Sequence, residues 1–392
     1  MSMKPHLYVN SRGFEVTRHS YSGGDTFNYC AQRYYLERVQ GWSEKQQRAA
    51  SMFGIALEHA VTFWHQHKMD TAAAVADFIR CWAEHKDKEY IYSKPEKDWA
   101  SMELTGCELI RLYALRYPTF PYIVTNPQDF QVQTNFEVFP GTKLAGIEFT
   151  SYIDLLANVK KEQGSIQAQN PKLLFPILPE PGEPLIIDIK TSGKDIPELL
   201  VLDPQLRSYS WVKNIPLVAF LWFRKMGREI SKGDKVTLLE DRAGLLAGTD
   251  AVVMGADEFG FYITSEPKIE DDMNVQFIGK SKAVETAKNA YIMTNGKHVP
   301  ESILTKQRVQ FKMARITPAS AEDIGRSIKR DVINIAAANE KEFWPMQSGV
   351  RFPNEKCPNC AMRGICSGNA ELRDSLVTRK QLDEFDFGKE SE

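Results

Sequence analysis

The chain has 392 residues, enough for one large domain with an insertion or for two domains. With 43% hydrophobic and 26% charged residues it is a globular composition, not a disordered or fibrous one, and a net charge of −2 gives no bulk signature of nucleic-acid binding. No apolar run approaches the roughly 20 residues of a membrane span, and Met1-Ser2-Met3-Lys4-Pro5-His6 lacks a signal peptide's apolar stretch, so a cytoplasmic, thiol-reducing location without a membrane partner is expected.

In chain order, a polar segment leads into a short aromatic helix over Tyr29–Val39. Apolar residues at helical spacing (Phe53, Leu57, Ala60, Val61, Trp64) predict a helix over about Ala49–His67, and two more follow at about Thr71–Lys88 and Lys97–Arg116, closed by Pro118 and Pro121. Strand patterns come next at Gln131–Phe139, Leu144–Asn158 and Pro184–Thr191, then a helix at about Glu198–Lys213. Further strands are expected at Leu217–Lys225 and near Arg308–Arg315. A last long helix starts after Thr317-Pro318-Ala319-Ser320 and runs to about Asn339.

Two stretches interrupt this order. Lys160–Glu183 is polar, carries Pro171, Pro176, Pro179 and Pro181, and reads as a long linker between two strands. Residues 228–300 hold short strand patterns around Gly233-Asp234, Gly248-Thr249 and Gly260, which predict a small SH3-like β-barrel inserted between two strands of the main sheet. The expected division is therefore a core over 14–227, the inserted module over 228–300, the rest of the core over 301–379 and a charged tail over 380–392.

The chemistry-bearing residues fall into two groups. Cys357, Cys360 and Cys366 lie within ten residues on a loop bent by Pro358 and Gly364, although the chain holds only six cysteines. Thiolates so closely spaced suit one metal centre better than disulfides with one another, and Cys30 is the candidate fourth ligand. Zinc, which also takes four cysteines, remains an alternative to iron–sulfur on spacing alone. Cys81 and Cys107 sit at apolar helical positions and are expected in the core.

The second group centres on Ile186-Ile187-Asp188-Ile189-Lys190-Thr191. Residues two apart in a strand share a face, so Asp188 and Lys190 project together while Ile187 and Ile189 enter the opposite layer. A carboxylate there can hold Mg²⁺ or Mn²⁺ and the ammonium can orient water, though a same-face ion pair would look identical in sequence. Asp154 interrupts an apolar run on the preceding strand, which is expected to pair antiparallel with the Asp188 strand; if buried, it needs a partner or a metal. His59 lies on the first long helix and could ligate metal or simply be hydrogen-bonded. Gln205 and Tyr209 are i,i+4 on the helix after Lys190 and share one face.

The order His59, Asp154, Asp188-x-Lys190, Gln205-x-x-x-Tyr209, bracketed by Cys30 and the C-terminal cysteines, resembles the RecB-like branch of the PD-(D/E)xK nuclease superfamily and its iron–sulfur subgroup. Ser20-Tyr21-Ser22 and Cys30-Ala31-Gln32-Arg33-Tyr34-Tyr35 resemble the subgroup's opening segments, with Ala31 and Gln32 in place of its usual proline and arginine. Ser151 or Tyr152 stands where the family has a glycine before Asp154. The likeness covers roughly residues 14–225 and 305–368 and omits the insertion.

The resemblance implies an α/β (α+β) fold with a restriction-endonuclease-like mixed central sheet flanked by helices. It implies a Mg²⁺- or Mn²⁺-dependent deoxyribonuclease, an exonuclease acting on single strands or duplex ends in recombination or repair. His59, Asp154, Asp188 and the Ile189 carbonyl would hold the metal, Lys190 would position water, and Gln205 and Tyr209 would contact the network around it. Cys30, Cys357, Cys360 and Cys366 would carry a structural [4Fe–4S] cluster. The competing expectation is a weakly catalytic DNA-binding or assembly factor that docks a protein partner through residues 228–300.

Overall fold

A computed structural model describes residues 7–9, 15–84, 86, 90–92, 98–126, 128–142, 144, 146–160, 179–225, 230, 232–242, 244–257, 260–265, 296–300, 302, 304–346 and 356–379. The fold is mixed α+β. Its spine is the 12-residue strand Glu148–Val159, the longest of an eight-stranded sheet. One edge of that strand pairs antiparallel with Phe130–Glu137 and then with Tyr122–Ile123. The other edge takes Glu15–His19 in parallel at its start and Pro184–Ser192 antiparallel in its second half. Leu217–Arg224 continues the sheet parallel to the Asp188 strand, and Val309–Arg315 closes it antiparallel.

Helices cover both faces. Ala49–Gln66, Thr71–Ala83 and Trp99–Arg116 bury Phe53, Leu57, Phe78, Trp82, Leu109 and Tyr113 against Leu185, Ile187 and Leu221 of the sheet. On the opposite face Pro204–Lys213 and Pro318–Glu340 pack over Ile186, Val218, Phe220 and Phe149. Side-chain caps set several helix starts: Asp70 accepts from Ala73 N, Asp98 from Ser101 N, Asp203 from Leu206 N and Thr317 from Ser320 N. Asn214, with φ 54° at the C-cap, ends the Pro204 helix and turns the chain into Leu217–Arg224.

The aromatic helix expected over Tyr29–Val39 runs from Ala31 to Val39, and a separate helix precedes it. Tyr21–Tyr29 is a helix capped by Ser20, Cys30 is extended, and Ala31–Tyr34 runs into a π-turn at Tyr35–Val39. Tyr34 and Tyr35 stack on Trp344, with ring centroids 5.9 and 5.3 Å away, and Trp42–Glu44 pairs with Val377–Arg379. The two ends of the chain are thus joined by ordinary packing and pairing.

The insertion forms a second, antiparallel sheet in the order Lys297–Val299, Gly260–Thr264, Asp250–Asp257, Lys235–Leu238, Leu304–Lys306. Val236, Val253, Ile263, Val299 and Leu304 form its own small core. One boundary changes here. The last strand, Leu304–Lys306, belongs to this sheet, so the module extends past residue 300 to 306. The expected small barrel is described as these five strands; residues 266–295 of the stretch lie outside the described residues. The module leaves the main sheet at Arg224 and returns at Val309, on strands that are antiparallel neighbours as expected.

It is also anchored. Buried Arg116, at the end of the third helix, pairs with Asp250, which Thr237 and Gln307 also contact. Gly248, at φ 83°, packs so closely that a Cβ would lie 2.8 Å from the Leu115 carbonyl oxygen. The expected linker over 161–178 and the tail over 380–392 lie outside the described residues.

Candidate active site

The Asp188 strand alternates as its sequence predicts. Ile187 and Ile189 enter the core under the first three helices, while Ile186 packs with Leu206 and Tyr209 on the other side, the side on which Asp188 also projects. The Asp154 strand does not alternate so simply. Ile153 packs with Ile186, yet Leu155, two residues on, packs with Ile187. The face changes at Asp154, opposite which Gln131 adopts φ 50°, a left-handed conformation that is costly for a non-glycine residue.

There the ladder between the two strands ends. Leu155 still pairs with Ile187, but the next inward N–H, that of Ile189, donates to Asp154 Oδ2 at 2.7 Å. Beyond that pair, carboxylates from several elements converge. Asp188 is fully buried, and Lys190 Nζ lies 2.6 Å from its Oδ2 while Oδ1 has no hydrogen-bond partner.

The third carboxylate is Glu58, which sequence reasoning passed over for its neighbour. Its charge acts on Asp154, Lys190 and Tyr209, and it is itself acted on by Asp188. Glu58 Oε1 is buried without a hydrogen-bond partner. One turn earlier on the same helix ridge, a Cβ on Gly54 would lie 3.4 Å from Thr191 Oγ1, so this ridge faces the C-terminal end of the catalytic-candidate strand.

His59 lies elsewhere. Its Nδ1 is 2.7 Å from Asp77 Oδ2 and 3.4 Å from Cys81 Sγ on the next helix, its side chain is 48% exposed, and Ile55 one turn away is exposed too. The expected metal role of His59 beside Asp154 and Asp188 is corrected accordingly: a 100° step around the helix puts Glu58 inward and His59 outward. Cys81, expected in the core, is half-buried beside His59, whereas Cys107 is buried as expected. His59, Asp77 and Cys81 present donor atoms within 4.8 Å of one another, but the Arg80 guanidinium already bonds Asp77 Oδ1 and reaches Cys81 Sγ, which disfavours a cation there.

The electrostatics follow from burial. Desolvation pushes Glu58, Asp154 and Asp188 each up to about 7, and their mutual repulsion adds to it. Burial opposes the charge on Lys190, but Asp188, Asp154 and Glu58 outweigh it and hold its pKa above the ordinary ammonium value. Gln205 Nε2 donates to Tyr209 OH at 2.6 Å, and the phenol is driven upward by burial and then by Asp188 and Asp154. Lys190, Gln205 and Tyr209 therefore do join Asp154 and Asp188, and Ile189 joins them through its amide. The donor set fits a hard divalent cation: three oxygen ligands, two with orphaned oxygens, at a cost that a bound cation would relieve.

Cys30, Cys357, Cys360 and Cys366 lie within electrostatic reach of one another, though their sulfur atoms are not among the groups held within 4.8 Å of one another. The Cys366 thiol is raised by burial and then by Cys360, Cys30 and Cys357, and Cys360 responds to Cys30 in turn. Lys356 Nζ donates to the Tyr29 carbonyl at 3.3 Å and lies 4.4 Å from the centre of the Tyr29 ring, holding the C-terminal loop against the residue before Cys30. None of the six cysteines forms a disulfide, and four thiols within electrostatic reach are of the type that binds a metal centre.

No family model matches the chain, and no curated protein does. A solved structure described as "Crystal structure of SSO0001" aligns over 50% of this chain and 68% of that one, at 15% identity and a TM-score of 0.18. A likeness at that level carries no argument about fold or function. Among the described residues no helix is long and apolar enough to cross a membrane.

Proposed function

We propose that the chain is a Mg²⁺- or Mn²⁺-dependent deoxyribonuclease of the RecB-like PD-(D/E)xK type, acting on DNA ends or single strands. The observation that carries this reading is the convergence of buried Asp188 with half-buried Glu58 and Asp154, all raised to about 7, where the pairing of two strands ends and with Lys190 beside them. Buried carboxylates gathered this way are poor for stability, and a cation-dependent reaction is the economical reason for them. A divalent cation bound there would offset phosphate charge and acidify water.

The chain's own residues supply the rest. Glu58, Asp154 and Asp188 must shed protons to bind the cation, and the Ile189 amide fixes the Asp154 carboxylate. Lys190 holds Asp188 and carries the positive charge that orients an attacking water or meets a phosphate oxygen. Tyr209 stays protonated and, tied to Gln205, can donate toward the carboxylates or the strand. In this reading Cys30, Cys357, Cys360 and Cys366 hold a structural [4Fe–4S] cluster, and the module over 235–306 docks a partner or longer DNA.

The test is cleavage of labelled single-stranded and duplex DNA with Mg²⁺, Mn²⁺ or neither, by wild type and by Asp188→Ala and Lys190→Ala. Cutting that needs the metal and vanishes in both variants is expected. DNA binding without cutting under either metal would replace the enzyme by a docking factor.

A further inference from the structure

A cavity of about 170 Å³ opens between the Tyr21–Tyr29 helix, the start of the Pro204–Lys213 helix and the middle of the Pro318–Glu340 helix; its lining includes His19, Tyr21, Asn28, Pro204, Ser327 and Asp331. It adjoins the carboxylate site. Pro204 begins the helix that carries Gln205 and Tyr209, and the preceding Asp203 acts electrostatically on both Asp188 and Tyr21.

The cavity has polar groups in want of a ligand. His19 is 5% exposed and its Nε2 has no hydrogen-bond partner. Burial lowers its pKa to about 4, so the imidazole is neutral and Nε2 accepts or donates according to tautomer. Asp331 is 7% exposed; its Oδ2 accepts from Asn28 at 2.9 Å, while its Oδ1 has a long 3.4 Å contact with Arg330. Gly24 keeps the space between these groups open, since a Cβ there would lie 3.2 Å from both His19 Nε2 and Asp331 Oδ2.

The charge balance selects the ligand class. Asp25 and Asp331 line the cavity and Asp203 stands at its edge, against a neutral His19 and an Arg330 whose side chain is 65% exposed. A phosphate would meet net negative charge. A neutral planar group with N–H donors and ring acceptors would satisfy Asp331 and His19 together, with the half-buried Tyr21 beside it. Resting on the nuclease reading above, we propose that this cavity is a base subsite: it takes one unstacked nucleobase of the DNA strand next to the bond that is cut, with Asp331 accepting from its N–H edge and His19 or Asn28 meeting its ring.

The experiment uses a single-stranded oligonucleotide in which 2-aminopurine is moved one position at a time, titrated with the full-length protein without divalent metal and then cleaved with Mn²⁺. At one position the fluorescence should rise several-fold as the base leaves the stack. Gly24→Ala, which narrows the cavity between His19 and Asp331, and Asp331→Leu, which removes the acceptor, should each abolish that rise at protein concentrations that saturate the oligonucleotide. Wild type should also cut unequally along a mixed sequence, and either variant should level the pattern. A rise lost in the variants but no cutting would keep the subsite and sink the nuclease reading. Cutting without a rise at any position, or a rise that both variants retain, would overturn the subsite and leave the nuclease intact.

Discussion

Replacing Asp188 by Asn should alter the pH dependence of stability in a way fixed by burial. The carboxyl is fully buried and its pKa is raised from 3.8 to about 7. The folded protein therefore holds this proton more tightly than the unfolded chain. Its stability falls as pH rises from about 4 to about 7, and levels off above that because both states are then ionised. Between pH 5 and 7 the loss spans about two pH units, or about 3 kcal/mol at 1.36 kcal/mol per unit. Asn carries no such proton, so its stability should lack this slope; the constant cost of burying an amide cancels when the two profiles are compared. Unfolding a chain of this length changes entropy by about 0.8 kcal/mol/K, so the wild-type midpoint should drop by about 4 °C relative to the variant between pH 5 and 8. Thermal unfolding followed by circular dichroism in metal-free buffer reads this directly. Millimolar Mn²⁺ at pH 8 should raise the wild-type midpoint and leave the variant's nearly unchanged. Parallel pH profiles for the two proteins, or equal stabilisation by Mn²⁺, would refute the account of Asp188 as a destabilised ligand.

Glu58→Gln should reduce metal-dependent cutting about 10²-fold or more, whereas His59→Ala should stay near the wild-type rate; the reverse pattern in a cleavage assay would restore the sequence expectation. Because Glu58, Asp154 and Asp188 must deprotonate from about 7, Mn²⁺ affinity measured by calorimetry should strengthen from pH 6 to 8 with release of protons. Protein isolated without oxygen should contain about four irons per chain, and Cys30→Ala or Cys357→Ala should lose them and expose residues 356–379 to protease; stoichiometric zinc without iron would overturn the cluster. Asp250→Ala should destabilise the chain by about 3 kcal/mol, toward the low end for a broken buried pair because Asp250 keeps 30% of its side chain exposed, and Arg116→Met added to it should recover much of the loss in a denaturant titration.

Several elements were legible because the physics that builds them is local. The Asp70, Asp98 and Thr317 caps stand at helix starts read within a few residues from the sequence, and the alternation of Ile187, Asp188, Ile189 and Lys190 fixed their faces before any neighbour was known. What could not be read depends on contacts across the chain. The separate helix Tyr21–Tyr29 and the partner of Tyr34 and Tyr35, Trp344 more than three hundred residues away, carry no local signal. Leu304–Lys306 joins the inserted sheet because Val236–Leu238 offers an edge, which spacing does not announce. Nor does spacing announce what ties the module to the core, the pairing of Asp250 with buried Arg116 and the close approach of Gly248 to Leu115.

The choice between Glu58 and His59 is the sharpest case. Both are polar on the same helical turn, and imidazole is the more familiar ligand. Yet the sequence held a usable signal: Glu58 lies one turn after Gly54 and one before Val61, on the edge of the buried stripe, whereas His59 follows Ile55 on the ridge toward solvent. A carboxylate bordering an apolar stripe pays for its dehydration unless something meets it, and here Asp154 and Asp188 only deepen that cost. Three acids raised to about 7 by burial, and further by one another, gain nothing from their proximity in the absence of a cation. That imbalance, rather than any one residue's identity, is the strongest physical reason to look for a metal at this end of the sheet.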